Sequence, residues 1–281
     1  MDIGKLYVVP TPIGNLKDIT LRALEVLNNV DIIAAEDTRQ TLKLLNHYDI
    51  KKTLISYHKH NEQIKSDNIL NLLESGKSVA VVSDAGMPGI SDPGSVVIAK
   101  CIEKGIEYEV LPGATAMITA LIYSGMDTTK FCFRGFLPKD NKGRLSVIEK
   151  LKDRDESLIF YEAPHRLINT LNFLKDNLGN RRISICRELT KLHEEIIRTT
   201  LEDALIHYNN EQPRGEYVLI LEGRSEEELE KEELEKWDDI SIKDHIIMYI
   251  NQGLSKKDAI KQTSKDRKMS KSEVYKYSID I

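Results

Sequence analysis

At 281 residues, 41% hydrophobic and 30% charged, the chain is long enough for about two domains with ample cores and has the balance of an ordinary soluble globular protein. No apolar run approaches the roughly 18 residues a membrane span needs, and the opening MDIGKLYVVP lacks a signal-peptide core, so a cytoplasmic protein without a membrane partner is expected. The net charge of −5 is uneven: residues 225–239 carry −7, residues 241–281 carry +4, and the first 224 carry −2, which excludes a general nucleic-acid binder and leaves room only for a local contact.

The amino end reads as a strand (Leu6 to Val9), a shaped loop (PTPIGN, from Pro10) and a helix over about residues 20–29, with Leu21, Leu24 and Leu27 at helical spacing. That loop is neither a dinucleotide fingerprint nor a phosphate loop, since GxGxxG and GK[ST] are both absent. A short strand at 31–35 ends in Glu36-Asp37-Thr38-Arg39 and a helix to about Tyr48; a strand near 53–57 leads through His58-Lys59-His60 to a helix that Asn61 is expected to cap. His-x-His alone is a weak metal signal, and no metal is expected. The strand at 78–82 then stops at Ser83-Asp84 and passes through Gly86, Pro88, Gly89, Pro93 and Gly94, three glycines and two prolines in nine residues. Such a run cannot continue as strand or begin a helix at once, so it forms a shaped loop at the carboxyl edge of the sheet, where ligands bind. A helix over about 96–104 and a strand at 108–111 end in Pro112-Gly113-Ala114-Thr115-Ala116, opening an apolar helix to about Tyr123. Three strands thus end in small-residue loops, and right-handed crossovers in a parallel sheet put those loops on one edge.

The second half begins at FCFRGF (from Phe131), followed by KDNKGR (139–144), expected as a mobile loop before a helix to about Lys152. Strands near 158–161, 183–186 and 215–221 end or begin at YEAPHR, RELTK and GEYVL, and an extended stretch at 194–200 makes a mixed sheet the expectation. The three cysteines Cys101, Cys132 and Cys186 stand singly in apolar segments and read as buried thiols of a reducing compartment. Residues 225–240 read as a solvated acidic linker helix. In 241–281, Ile242, Ile246, Ile247 and Ile250 mark an amphipathic helix, and Ser255…Asp258 and Ser270…Glu273 resemble capping boxes opening two more, a basic helix-turn-helix-like extension.

The loops PTPIGNL, AEDTR, SDAGMPGISDPG and PGATA, followed in order by YEAPHR, RELTK and GEYVL, closely resemble the bacterial ribosomal small subunit methyltransferase I family. The resemblance covers about residues 5–223 and departs from the usual pattern at Met87 and Ala163, where threonine and serine are common. It implies two α/β domains of the tetrapyrrole-methylase (class III methyltransferase) type, at 1–117 with a parallel sheet and at 118–224 with a mixed sheet, plus the small C-terminal helical extension. It further implies S-adenosylmethionine as cofactor, 2'-O-methylation of a cytidine in the decoding region of 16S rRNA within the small ribosomal subunit, and a homodimer.

Cofactor contacts carried over by the resemblance are Pro12, Gly14, Asp84, Gly86, Met87, Ser91, Gly113, Ala114 and Thr115. Facing the RNA are Asp37, Arg39, Tyr161, Glu162, Arg166 and Arg187, arginines for phosphate and the tyrosine for stacking on a base. Removing a proton from a weakly acidic hydroxyl calls for a base, here Glu188 or Glu36, with Lys191 steadying the oxyanion. Two rivals stand beside this: a tetrapyrrole methylase of the same fold, which needs no basic tail, and a non-catalytic RNA-binding assembly factor, which predicts degraded loops.

Overall fold

The computed structural model describes residues 3–225, 236–279 and 281. By internal contacts the chain divides into two compact units, one of residues 1–147 with 157–222, the other of 148–156 with 223–281.

In the first unit, β1 (Leu6–Val8), β2 (Ile32–Ala35), β3 (Thr53–Ser56), β4 (Val79–Val82) and β5 (Tyr108–Val110) form one all-parallel sheet in the order β3-β2-β4-β1-β5. Alternate residues of β4 explain why it is central: Val79 and Val81 enter one core with Leu70 and Leu73, while Ala80 and Val82 enter another with Ala23, Leu27 and Leu45. A strand apolar on both faces is stable only between two helical layers. One layer is α1 (Leu21–Asn29) and α2 (Thr38–His47); the other is α3 (Glu62–Glu74) and α4 (Ser95–Lys104). The chain leaves the neighbouring strands β1 and β4 in opposite directions, toward β2 and β5, which opens a crevice at their carboxyl ends.

The second sheet, in the order β6-β7-β10-β8-β9, is mixed as expected. β6 (Phe131–Phe136) runs parallel to β7 (Ser157–Glu162), and β10 (Tyr217–Leu221) is antiparallel to β7 and β8 (Arg182–Arg187), which pairs antiparallel with β9 (Glu195–Thr200). Ile159, Cys186, Val218 and Ile220 pack on Ala120 and Leu121 of α5 (Ala116–Ser124), and Ile13 of the first loop joins the same core. That shared core fixes the first loop against the second sheet. Along the chain lie α6 (Asn141–Glu149), α7 (Leu167–Leu178) and α8 (Leu201–Asn210).

Two expectations need correction. The segment 139–144 is not a loop throughout: α6 starts at Asn141, because Asp140 accepts from the Gly143 N–H (2.7 Å) and so supplies an unforeseen cap. Asn61 does precede α3, but its side chain makes no bond to the helix; its Oδ1 accepts from the His58 N–H (2.8 Å) and its Nδ2 lies 3.1 Å from His58 Nε2, closing the preceding turn instead.

In the second unit, α9 (Ile242–Asn251), α10 (Lys256–Asp266) and α11 (Lys271–Lys276) close over Ile246, Ala259, Ile260 and Val274. Each helix starts at its cap: Ser241, Ser255 and Ser270 accept from the backbone three residues on, and Ser270 with Glu273 completes a capping box. His245 is stacked between Trp237 (3.8 Å) and Tyr249 (5.1 Å) and accepts from Arg267 Nε (3.1 Å); burial, then the neighbouring guanidinium, holds it below its usual pKa. Residues 226–235 of the expected acidic linker helix lie outside the described residues.

Thr20 caps α1 by accepting from the Ala23 N–H (3.0 Å). Thr20→Ala is expected to cost about 1 kcal/mol, seen as a fall of roughly 2–4 °C in calorimetric Tm.

Candidate active site

Loops after β1, β4 and β5 meet at one edge of the parallel sheet. The first two are joined as a short antiparallel bridge: Thr11 N–H donates to Gly86 O (2.9 Å) and Gly86 N–H to Thr11 O (3.1 Å). Thr11 Oγ1 donates to Ser83 O (3.1 Å), and Ser83 Oγ donates to Gly86 O (3.2 Å). Gly86 holds φ +82°, a left-handed conformation that favours glycine, and a Cβ there would lie 3.1 Å from Ile13. Gly14 has no room for a side chain at all, since a Cβ would come within 2.5 Å of Lys191 Cγ; the loop after β8 presses against the first loop, with Asn15 N–H donating to Thr190 Oγ1 (2.9 Å).

These loops and the ends of β7 and β10 enclose a cleft of about 380 Å³, within the size range of small-molecule sites. Glu36, Asp84, Asp92, Glu162 and Glu216 bring five carboxylates to its wall, and Phe136 and Tyr161 supply an aromatic side. Tyr161 is held edge-on against Phe133 (5.0 Å) and Phe136 (5.8 Å). A second hollow of about 430 Å³ shares Ile13, Asp84, Ala85 and Glu216 with the first and adds Pro12, Gly14 and Lys191. The two share these walls, and the cations among their described lining are Lys43 and Lys191.

Concentrating carboxylates in a half-buried cleft raises their proton affinity. Burial, then Asp84, pushes Glu36 up. Asp84 is pushed up by burial, against the Asp37 N–H that donates to its Oδ1 (2.9 Å). Asp92 is pushed up to about 7, by burial first and then by Glu36, Asp84 and Glu216. The cleft is therefore a poor place for anions and a good one for a cation.

The structure brings Asp84, Gly86, Met87, Ser91, Thr115, Glu36, Tyr161 and Glu162 to the first hollow, and Pro12, Gly14 and Lys191 to the second. Gly113 and Ala114 stand behind the lining: a Cβ on Gly113 would meet Pro10 Cγ at 2.3 Å, and Ala114 packs into the core beside Ile13. Other residues are already committed to neighbours. Glu188 Oε1 accepts from Lys191 Nζ (3.0 Å) and from the Glu216 N–H (2.9 Å); although burial pushes the other way, these bonds hold its carboxyl below the usual range. Lys191 also reaches Glu216 Oε2 (2.7 Å), and despite burial these two acids raise its pKa. Glu162, 2% exposed, accepts from Thr170 Oγ1 (2.5 Å), and Arg166 lies 3.3 Å from it while donating to Leu137 O (2.8 Å). Arg187 pairs with Glu195 (3.0 Å). Asp37 and Arg39 form a two-bonded pair (3.0 and 2.6 Å) on the exposed rim, which draws Asp37 down to about 2.

Sequence reasoning missed Asp92, Glu216 and Phe136. Asp92 and Glu216 stood inside the quoted motifs SDAGMPGISDPG and GEYVL, and a charge in the Gly/Pro loop and one just before β10 were the available signals; Phe136 gave none. Among the described residues no group of three or more His, Cys, Asp or Glu is arranged to hold a metal ion.

Residues 5–205 match the family described as Tetrapyrrole (Corrin/Porphyrin) Methylases. A Bacillus subtilis protein named Ribosomal RNA small subunit methyltransferase I is 48% identical over 98% of this chain and 94% of its own length; one of the same name from Halalkalibacterium halodurans is 49% identical with the same coverage. The chain belongs to the ribosomal RNA small subunit methyltransferase I family of the tetrapyrrole methylases. A Thermotoga maritima member, 46% identical over 222 residues, is matched along its entire length by 79% of this chain. Solved structures share the fold at low identity: diphthine synthase (TM-score 0.64, 13% identical, 79% of this chain and 91% of that one) and uroporphyrin-III-C-methyltransferase from Thermus thermophilus (0.54, 19%, 77% and 94%).

Because Asp92 binds its proton more tightly folded than unfolded, it contributes stability below about pH 4 that is lost as pH rises to about 7. Asp92→Asn is expected to flatten the fall in Tm between pH 4 and 7 and to leave the variant more stable than the parent at pH 8, as read by calorimetry across that range.

Proposed function

We propose that the chain uses S-adenosylmethionine to methylate the ribose 2'-oxygen of a cytidine in the decoding region of 16S rRNA. The observation that carries this reading is 48–49% identity, spread over 98% of the chain, to two proteins named for ribosomal RNA methylation. The crevice supports it. S-adenosylmethionine carries a sulfonium and an amine, and the cleft offers Glu36, Asp84, Asp92 and Glu216 besides Glu162, which Thr170 engages; the loops lack the phosphate-binding glycine patterns that a nucleotide polyphosphate would require.

Pro12, Gly14, Asp84, Gly86, Met87, Ser91 and Thr115 would hold the cofactor, with Gly113 and Ala114 setting the third loop behind them. When bound, it supplies a methyl group already activated on sulfur. The chain's own work is then alignment, which can supply roughly 7 to 11 kcal/mol in favourable cases, and handling the hydroxyl proton. A carboxylate whose proton affinity is raised toward neutrality is the better base at pH 7. Glu36 and Asp92 meet that condition, whereas Glu188 is held low by Lys191 and the Glu216 N–H. We therefore assign proton acceptance to a carboxylate oxygen of Glu36 or Asp92, and give Glu188 the task of positioning Lys191 near the forming oxyanion. Tyr161 and Phe136 offer a stacking wall for an extruded base. Arg39, 86% exposed on its side chain, is the arginine most available to phosphate.

The test is incorporation of label from methyl-labelled S-adenosylmethionine into small subunits, naked 16S rRNA and a tetrapyrrole precursor. The expected product is 2'-O-methylcytidine in 16S rRNA, with Glu36→Gln or Asp92→Asn slowing turnover about 10²- to 10⁴-fold according to which is the base. Label in the tetrapyrrole alone would overturn the substrate, and no label anywhere would favour a non-catalytic role. The same reading includes a cytoplasmic homodimer; a sizing-column mass at the monomer's 32.1 kDa would contradict it.

A further inference from the structure

The helical unit at 241–281 is compact, basic and unused by the crevice chemistry. Its four described carboxylates are all engaged by hydroxyls: Ser241 with Asp244 (2.6 Å), Ser255 with Asp258 (2.5 Å), Ser270 with Glu273 (2.6 Å), and Tyr249 with Asp266 (2.5 Å). Lys257, Lys261 and Lys271 make no ion pair or side-chain hydrogen bond among the described residues, and Lys256 donates to Ile281 O (2.9 Å). Asp244, Asp258 and Glu273 thus serve helix starts and Asp266 a tyrosine, so none of them pairs with Lys257, Lys261 or Lys271.

Three of these lysines converge. Lys256, Lys257 and Lys271, with Ser272, Ile260 and Tyr275, line a groove of about 610 Å³ between α10 and α11. Lys256 and Lys271 open their helices, a placement that works against the helix dipole and so does nothing for folding. Tyr275 is 58% exposed at the same groove. Unpaired cations beside an exposed ring are the two components of a surface that takes single-stranded nucleic acid: charge for the backbone, a π-face for an unstacked base. The Thermotoga maritima relative is matched in full by 222 residues, so a protein of the same name exists without a counterpart to the remainder of this chain. That fits an accessory docking function better than a catalytic one.

We propose that the groove of Lys257, Lys271 and Tyr275 docks single-stranded RNA, the lysines contacting phosphates and the tyrosine stacking on a base. This names a second contact for the RNA substrate and rests on the reading of the chain as an rRNA methyltransferase.

The experiment uses the full chain and a fluorescent single-stranded RNA oligonucleotide, with anisotropy titrations over a range of salt. In Lys257→Gln/Lys271→Gln the slope of log affinity against log salt is expected to fall by about 1.4, at about 0.7 per phosphate contact. Tyr275→Ala is expected to weaken binding roughly tenfold with the salt slope unchanged. Melting of both variants by circular dichroism should match the parent, since none of the three side chains holds the fold by a hydrogen bond. Unchanged affinity and slope in the lysine variant, or no RNA binding by the parent, overturns the proposal. Methyl transfer to rRNA, measured on the same preparations, judges the other reading separately: lysine-dependent RNA binding without methylation sinks the enzyme assignment and keeps the groove, and methylation with an unaltered KM in both variants does the reverse.

Discussion

The crevice depends on two hydrogen bonds between backbones seventy-five residues apart, those of Thr11 with Gly86. Without them the loops after β1 and β4 are two separate surface turns; with them they become one rim, and Ser83 and Thr11 lock it with two more bonds. The sheet order makes the bridge possible, because β1 and β4 are neighbours whose chains depart in opposite directions. Gly86 is required by the φ of +82° there, and Gly14 by the closeness of Lys191 from the second sheet. Strand order, loop pairing and glycine placement are consequences of one constraint, that two strand ends face a ligand together.

The second organising feature is electrostatic. Glu36, Asp84, Asp92 and Glu216 come from three segments; burial raises the proton affinity of the first three, Asp84 adds to that of Glu36, and Glu36, Asp84 and Glu216 add to that of Asp92. Such an arrangement lowers stability in the empty protein and is sustained by the rigid rim around it, a pattern expected at sites shaped for ligands rather than for folding. Of the two lining lysines, Lys191 is neutralised by Glu188 and Glu216, while Lys43 donates to Gln40 Oε1. At the rim Arg39 is likewise paired, with Asp37, and positive charge unpaired among the described residues stands in the other unit at Lys257, Lys261 and Lys271 of α10 and α11.

Much of the fold was legible from the chain. The apolar run at 78–82 between polar ends announced a central parallel strand, and the Gly/Pro loop after it announced the ligand edge. Ser255 and Ser270 marked helix starts that the structure keeps. What was not legible depended on contacts distant in sequence. Asp140 looked like part of a loop until its carboxylate met the Gly143 N–H. Glu162, Arg166 and Arg187 are charged residues at strand ends, as Glu36 and Asp84 are, yet Thr170, Leu137 and Glu195 bind them internally. Charge at a strand end identifies candidates; only the partners decide which remain open to a ligand.

The central claim is that the bridged loops form an acidic seat for S-adenosylmethionine. Titration calorimetry of S-adenosylmethionine into the parent chain and into Gly86→Val tests it most directly, because the substitution disturbs the bridge and leaves every carboxylate in place. The account predicts saturable one-site binding to the parent and at least a tenfold loss, about 1.4 kcal/mol, in a variant that remains folded by circular dichroism. Equal affinity in the two proteins, or no binding to the parent, would contradict it.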